Sequence, residues 1–149
     1  MTARWRRALK GAFRAYQQVA EALEARRREF KNDPVAQQII RLLEAKVIHG
    51  RDLLKLGAVK EAAEILLPEA RTLNEFSLTL SLAYLRGSNQ ARKSMRGASP
   101  QWHDFFNREI HLLDEAEALL EAGKADAVRK VIEQLHQEKV HLGLAGPIP

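Results

Sequence analysis

Residues 77–82 read SLTLSL, a strict alternation of polar and apolar side chains that, taken alone, matches a half-buried strand. No other part of the chain offers an alternating, β-rich run to pair with it. A lone strand would leave its backbone donors and acceptors without partners. The stretch is therefore expected within a largely buried helix over residues 69–86, stopped by Gly87. That choice sets the fold class. The chain is expected to be all-α, a single-domain bundle of about five helices built as stacked antiparallel helical hairpins over residues 1–141. A basic loop at about 87–99 and a flexible C-terminal tail at 142–149 complete this expectation.

Outward from this stretch, apolar spacing and helix-end signals place the other elements. On the N-terminal side Leu9, Phe13, Tyr16, Ala20, Leu23 and Phe30 recur at helical spacing in one seam that only Arg27 interrupts. Asn32-Asp33-Pro34 is a start signal: Asp33 can accept backbone N–H bonds, and Pro34 loses nothing in the first helical turn. The second helix presents Ala36, Ile39, Ile40, Leu43, Val47 and Leu54 and ends at Gly57. A third restarts at Ala58 or Val59, with Pro68 expected to kink or split it. On the C-terminal side Ser99-Pro100 launches a helix carrying Trp102, Phe105, Phe106, Leu112, Leu113, Ala116, Leu119 and Leu120, closed by Gly123. A last helix uses Val128, Val131, Ile132 and Leu135 before the Gly- and Pro-rich ending LGLAGPIP.

Gly50, Leu53, Gly57, Ala62 and Leu66 fall where a tetratricopeptide unit places its first glycine, large residue, turn glycine, small residue and second large residue. Residues 41–70 thus resemble one such unit, without its tryptophan-like position or closing proline. ALLEAGKADAVRKVI, from residue 118, echoes the same turn at Gly123, with Ala116 for the first glycine and Val128 for the small residue. Two units fall short of the three that a stable array needs, so the resemblance implies two similar helical hairpins.

The totals bound the function. A chain of 149 residues with 46% apolar and 29% charged content is long enough for its own core, and no apolar run is long enough to span a bilayer. The absence of cysteine removes disulfides, thiolate metal sites and thiol nucleophiles. The net charge of +5 is unevenly placed. Residues 1–20 hold Arg4, Arg6, Arg7, Lys10 and Arg14, and residues 76–103 hold Arg86, Arg92, Lys93 and Arg96, with no acid in either window. Residues 101–121 carry six acids against Arg108 alone. Such segregation points to an anionic partner: RNA, DNA, an acidic protein face or a lipid surface.

Catalytic signals are weak by comparison. His111 with Asp114 and Glu115 puts candidate ligands on one helix surface, but no His-Glu-x-x-His or Glu-x-x-His pattern accompanies it. No nucleophile has a neighbouring base, and no phosphate-cradling glycine loop occurs. Catalytic residues, cofactors and metals are therefore expected to be none. The expected function is a non-catalytic helical interaction module or small subunit of a larger assembly. It would contact RNA or an acidic protein surface through Arg4, Arg7, Lys10, Arg14, Arg86, Arg92, Lys93 and Arg96. A protein partner or a second copy is expected on an apolar helix face, with RNA or DNA as a further partner. The alternatives are a tetratricopeptide-like adaptor and a helical-bundle metalloenzyme. The Arg-rich N-terminus has the composition of a mitochondrial transit peptide, but its seam runs on past residue 20 into acid-bearing helix, so an intracellular, cytoplasmic rather than mitochondrial, location is expected.

Overall fold

The computed structural model of the chain describes residues 3–94 and 99–144. Among these residues there are six helices and no strand: α1 (Ala3–Glu29), α2 (Pro34–Lys55), α3 (Val59–Asn74), α4 (Phe76–Lys93), α5 (Pro100–Glu121) and α6 (Ala125–His141). Their contacts gather into two compact units, Met1–Phe76 and Ser77–Pro149, where the sequence led to one domain over 1–141. No helix among the described residues is long and apolar enough to cross a membrane.

In the first unit α1, α2 and α3 pack pairwise on one another. The α1–α2 corner is made by Asp33, whose Oδ1 accepts from the backbone N–H of Val35 (3.0 Å) and Ala36 (3.1 Å). Gln37 Nε2 donates back to the carbonyls of Arg27 and Phe30, satisfying acceptors that the end of α1 would otherwise leave open. Arg27, the interruption in the α1 seam, bridges Glu24 on its own helix to Glu44 on α2. A residue that breaks a hydrophobic pattern here ties two helices together.

The α2–α3 hairpin turns at Gly57, whose φ of +77° is a left-handed conformation that favours glycine. The Gly57 N–H donates to Leu54 O and the Ala58 N–H to Leu53 O, the Schellman pattern of paired bonds. Behind the turn, Leu54, Ala62 and Leu66 form a core lined by Leu9, Ala12 and Tyr16 of α1. Gly50 is buried against α3, and a Cβ there would stand 2.8 Å from Leu66 Cδ2 and 2.9 Å from its Cγ. Its missing side chain is what lets α2 and α3 approach. On α3, buried Glu69 faces Lys46 of α2 at 3.6 Å.

The second unit repeats the turn. Gly123 has φ +81°, its N–H donates to Leu120 O, and the Lys124 N–H donates to Leu119 O, so α5 and α6 form a hairpin closed like that of α2 and α3. Leu82 of α4, Phe105, Phe106, Leu113, Ala116 and Leu120 of α5, and Val128 and Leu135 of α6 share one core. Leu144 joins them at 2% exposure, held by a third bond pair of the same kind around Gly143. Residues 142–144 therefore close α6, with Leu144 buried in the core and Leu142 packed against it. Residues 145–149 lie outside the described set.

The structure corrects the expected helix ends around SLTLSL. The stretch is helical, as expected, but its helix neither begins at 69 nor ends at Gly87. α3 runs unbroken through Pro68 and stops at Asn74, where Arg26 Nε donates to the Leu73 carbonyl at 3.0 Å. Phe76 then packs its ring on Phe30 with centroids 5.0 Å apart. The single helix expected here is thus two, which raises the count from five to six. α4 continues through Gly87 to Lys93, so residues 87–93 of the expected loop are helix. The reason is tertiary: Asn89, two residues beyond the glycine, is buried and donates to Phe106 O at 3.0 Å, outweighing the roughly 1 kcal/mol that glycine costs a helix.

Two glycine substitutions separate these roles. Gly50→Val should lower stability by about 1–3 kcal/mol through the clash with Leu66. Gly87→Ala, where nothing lies within 4 Å of an added Cβ, should raise it by about 0.5–1 kcal/mol. Urea unfolding followed by far-ultraviolet circular dichroism checks both, and a loss of stability in Gly87→Ala would restore Gly87 as a helix stop.

Candidate functional site

The cation-bearing face of α1 follows from helical pitch. At about 100° per residue, the apolar side of α1 spans Leu9, Ala12, Tyr16, Val19 and Leu23, and Arg4, Arg7, Lys10 and Arg14 fall outside it. All four are exposed. Among the described residues none of them forms an ion pair. Trp5 holds this end of α1 in place by lying over the α2–α3 turn, 3.5 Å from where a Gly57 Cβ would be.

The second basic window is arranged differently. Arg86 on α4 donates from Nη2 to Asp114 Oδ1 at 2.6 Å and from Nε to Glu117 Oε1 at 3.0 Å, both on α5. Partial burial lowers its pKa, but the hydrogen bonds and Coulomb attraction of these two carboxylates outweigh that effect and leave it raised. Its charge is already matched inside the unit. Arg92 is buried at 8% exposure and lies on the inner side of α4, while Lys93 is exposed. Arg96 lies outside the described residues. The eight expected contact residues are thus not one set: four stand open on α1 in the first unit, and the second unit exposes Lys93 alone among its described three. Arg86 looked free because its acids lie 28 and 31 residues further along the chain.

Two features escaped the sequence reading. The first is a buried polar cluster in the second unit. Glu109 is 0% exposed; its Oε1 accepts from Asn89 Nδ2 at 2.7 Å, and Lys139 Nζ of α6 lies 2.9 Å from Oε2. That last contact is off the hydrogen-bonding direction and is chiefly Coulombic. The signal was present in the spacing: Glu109 sits in the run Phe105, Phe106, Leu113, Ala116, and Lys139 follows Leu135 by four. A charged residue on a core seam calls for a partner on a facing seam.

The second is a groove of about 510 Å³ between α1 and α3. Its floor is small and apolar, with Ala8, Ala12, Ala15, Val19 and Ala22 from α1 facing Ala63, Leu66 and Ala70 from α3. Leu67 on its edge is 53% exposed. The five α1 residues run one position ahead of the seam read from the sequence. Alanine contributes little to a hydrophobicity pattern, so the larger Leu9, Phe13 and Tyr16 set the apparent register.

The five histidines are all exposed, and the described residues contain no group of three or more His, Cys, Asp or Glu placed to hold a metal ion. His111 with its neighbouring acids is therefore no metal cluster there. Compared with known proteins, the chain matches no family model, no curated protein and no solved structure.

The buried pair gives a direct test of what holds α5 to α6. Glu109→Gln leaves Lys139 inside without a counter-charge and should cost about 3–5 kcal/mol. Glu109→Leu combined with Lys139→Met should come back to near the parent stability. Urea unfolding of the single and double variants checks this; strictly additive losses would mean that the two charges do not act as a pair.

Proposed function

We propose that this protein is a non-catalytic α-helical interaction module, or a small subunit of a larger assembly, that takes an anionic partner on α1. The observation that carries the reading is the open face of α1: Arg4, Arg7, Lys10 and Arg14 are solvent-exposed and lack ion-pair partners among the described residues, whereas Arg86 is matched by acids. Uncompensated charge of one sign along some three helical turns attracts a partner of the other sign from a distance and orients it. The surface of the second unit contributes less than its composition suggests, because Arg86 and Arg92 are already spent on internal structure.

An acidic protein surface is the partner class this geometry favours over RNA. The cations lie beside an apolar groove in which protein side chains can be buried, and Phe13 is the one exposed aromatic ring among them, short of the row of rings on which successive bases stack. The second reading, a tetratricopeptide-like adaptor, draws support from the α2–α3 hairpin, where Gly50 admits Leu66 and Gly57 makes the turn as in that repeat. Both readings predict a protein ligand.

The test is recovery of the tagged chain from native extract, with and without nuclease, followed by affinity titration at several salt concentrations. The quadruple reversal R4E/R7E/K10E/R14E should weaken partner binding by at least about tenfold and flatten its salt dependence, with helicity unchanged. Unchanged affinity would remove α1 from the contact surface. A partner released by nuclease would replace the acidic protein with nucleic acid.

A further inference from the structure

We infer that the groove between α1 and α3 docks one amphipathic helix of a partner protein, with its apolar side chains on the alanine floor and its flanking Asp and Glu side chains against Arg4, Arg7 and Arg14. This rests on the reading of α1 as an anion-facing surface and specifies both the site and the shape of what binds there.

The dimensions carry the first part. α1 and α3 run side by side in the same direction, since Trp5 lies at the start of α3 and Arg26 reaches Leu73 near its end. The floor from Ala8 to Ala22 covers about 21 Å of helix axis. A volume of about 510 Å³ spread along that length is far too small for a whole helix about 10 Å across, though side chains can enter it. A partner helix must therefore lie on top and insert one row of knobs, as ridge-into-groove packing requires, and the alanines let its backbone come close.

Charge carries the second part. On the helical projection Arg4 falls within about 40° of the line through the α1 floor residues, and Arg7 and Arg14 lie about 100° and 120° from it, on the flank of α1 next to the groove, within reach of a long side chain. Lys10 projects to nearly the opposite side of α1. This flank thus offers positive charge at several heights along the groove. An acyl chain in the groove could meet only one of these charges with its single head group, whereas a helix can present a carboxylate at every turn. A second copy of the chain is a poorer occupant. Among the described residues its exposed large apolar side chains outside this groove, such as Leu42, Ile48, Leu56, Tyr84 and Val140, are divided among α2 and its C-cap, α4 and α6, and none of these helices carries a row of them at three- and four-residue spacing.

The experiment uses the intact protein and a fluorescein-labelled synthetic helix of about 18 residues, with leucines at three- and four-residue spacing and glutamates on both flanks. Anisotropy titrations compare it with one peptide carrying lysine flanks and another with serine in place of leucine. Binding of the glutamate peptide should exceed that of either control by at least about tenfold. Ala15→Trp, which fills the floor, and Leu67→Glu, at an exposed position that leaves folding intact, should each reduce it by about the same factor. R4E/R7E/R14E should also weaken it, and by more than Lys10→Glu does. The inference fails if glutamate and lysine peptides bind alike, if the glutamate peptide does not bind, or if Leu67→Glu and Ala15→Trp both leave binding unchanged. It also fails if dodecanoate displaces the peptide at lower concentration than unlabelled peptide does, or if sedimentation shows a dimer that Leu67→Glu dissociates. Should charge reversal weaken the peptide while both groove variants do not, the groove falls and the cationic face of α1 stands. Should neither class of variant matter, both fall.

Discussion

Glycine at the helix ends is the constraint on which the rest of this structure depends. Gly57, Gly123 and Gly143 each take positive φ, and each is flanked by the same two backbone hydrogen bonds that satisfy the last carbonyls of the helix before it. At Gly57 and Gly123 this geometry reverses the chain within a few residues, so α2 packs on α3 and α5 on α6. The reversal alone does not make a core. It works in the first unit because Gly50 and Ala62 leave room for Leu66 where the two helices are closest, and in the second because Ala116 and Val128, seven residues before and five after Gly123, are both fully buried. Turn and contact are set at matching distances in the two hairpins, although the side chains differ.

Charge in this protein divides by where it is neutralised. The acids of α5 look like a separate negative surface when counted along the chain, yet Asp114 and Glu117 are committed to Arg86, and Glu109 to Lys139 and Asn89. Arg108, the cation on that helix, reaches Glu138 of α6 at 2.6 Å. The second unit thereby uses much of its charge as internal joinery. α1 does the reverse at its N-terminal half, where cations face solvent, while its C-terminal half spends Arg26 and Arg27 on α3 and α2. One helix thus spends its cations on structure at one end and leaves them open to solvent at the other. The change falls where acids first enter its sequence, at Glu21.

The groove and the cationic face are joined by the same packing. α1 lies along both other helices of its unit and makes its deepest contacts through Val19 and Leu23. Its alanines, packed against α3, leave a trough because they are too small to fill the space between two helix backbones. A larger residue at Ala15 or Ala63 would close the trough by van der Waals contact within the unit. Apolar surface open to water beside uncompensated positive charge is the combination expected of a protein-docking face, where burial supplies affinity and charge selects the partner.

The sequence by itself determined the helical class, the cap at Asp33-Pro34, the start at Ser99-Pro100 and the stops at Gly57 and Gly123, because these depend on local backbone geometry and nearest-neighbour hydrogen bonds. It also held the apolar seams of α2, α5 and α6, whose large side chains mark their buried faces plainly. Only the tertiary structure decided that the helix through SLTLSL begins at Phe76 and passes Gly87, since Arg26, Phe30 and Phe106 act from other helices. Only it decided which cations remain available. A charge is cancelled by whatever folding brings within a few ångströms, and for Arg86 those carboxylates come from a helix that begins beyond the whole of the basic window's remaining cations.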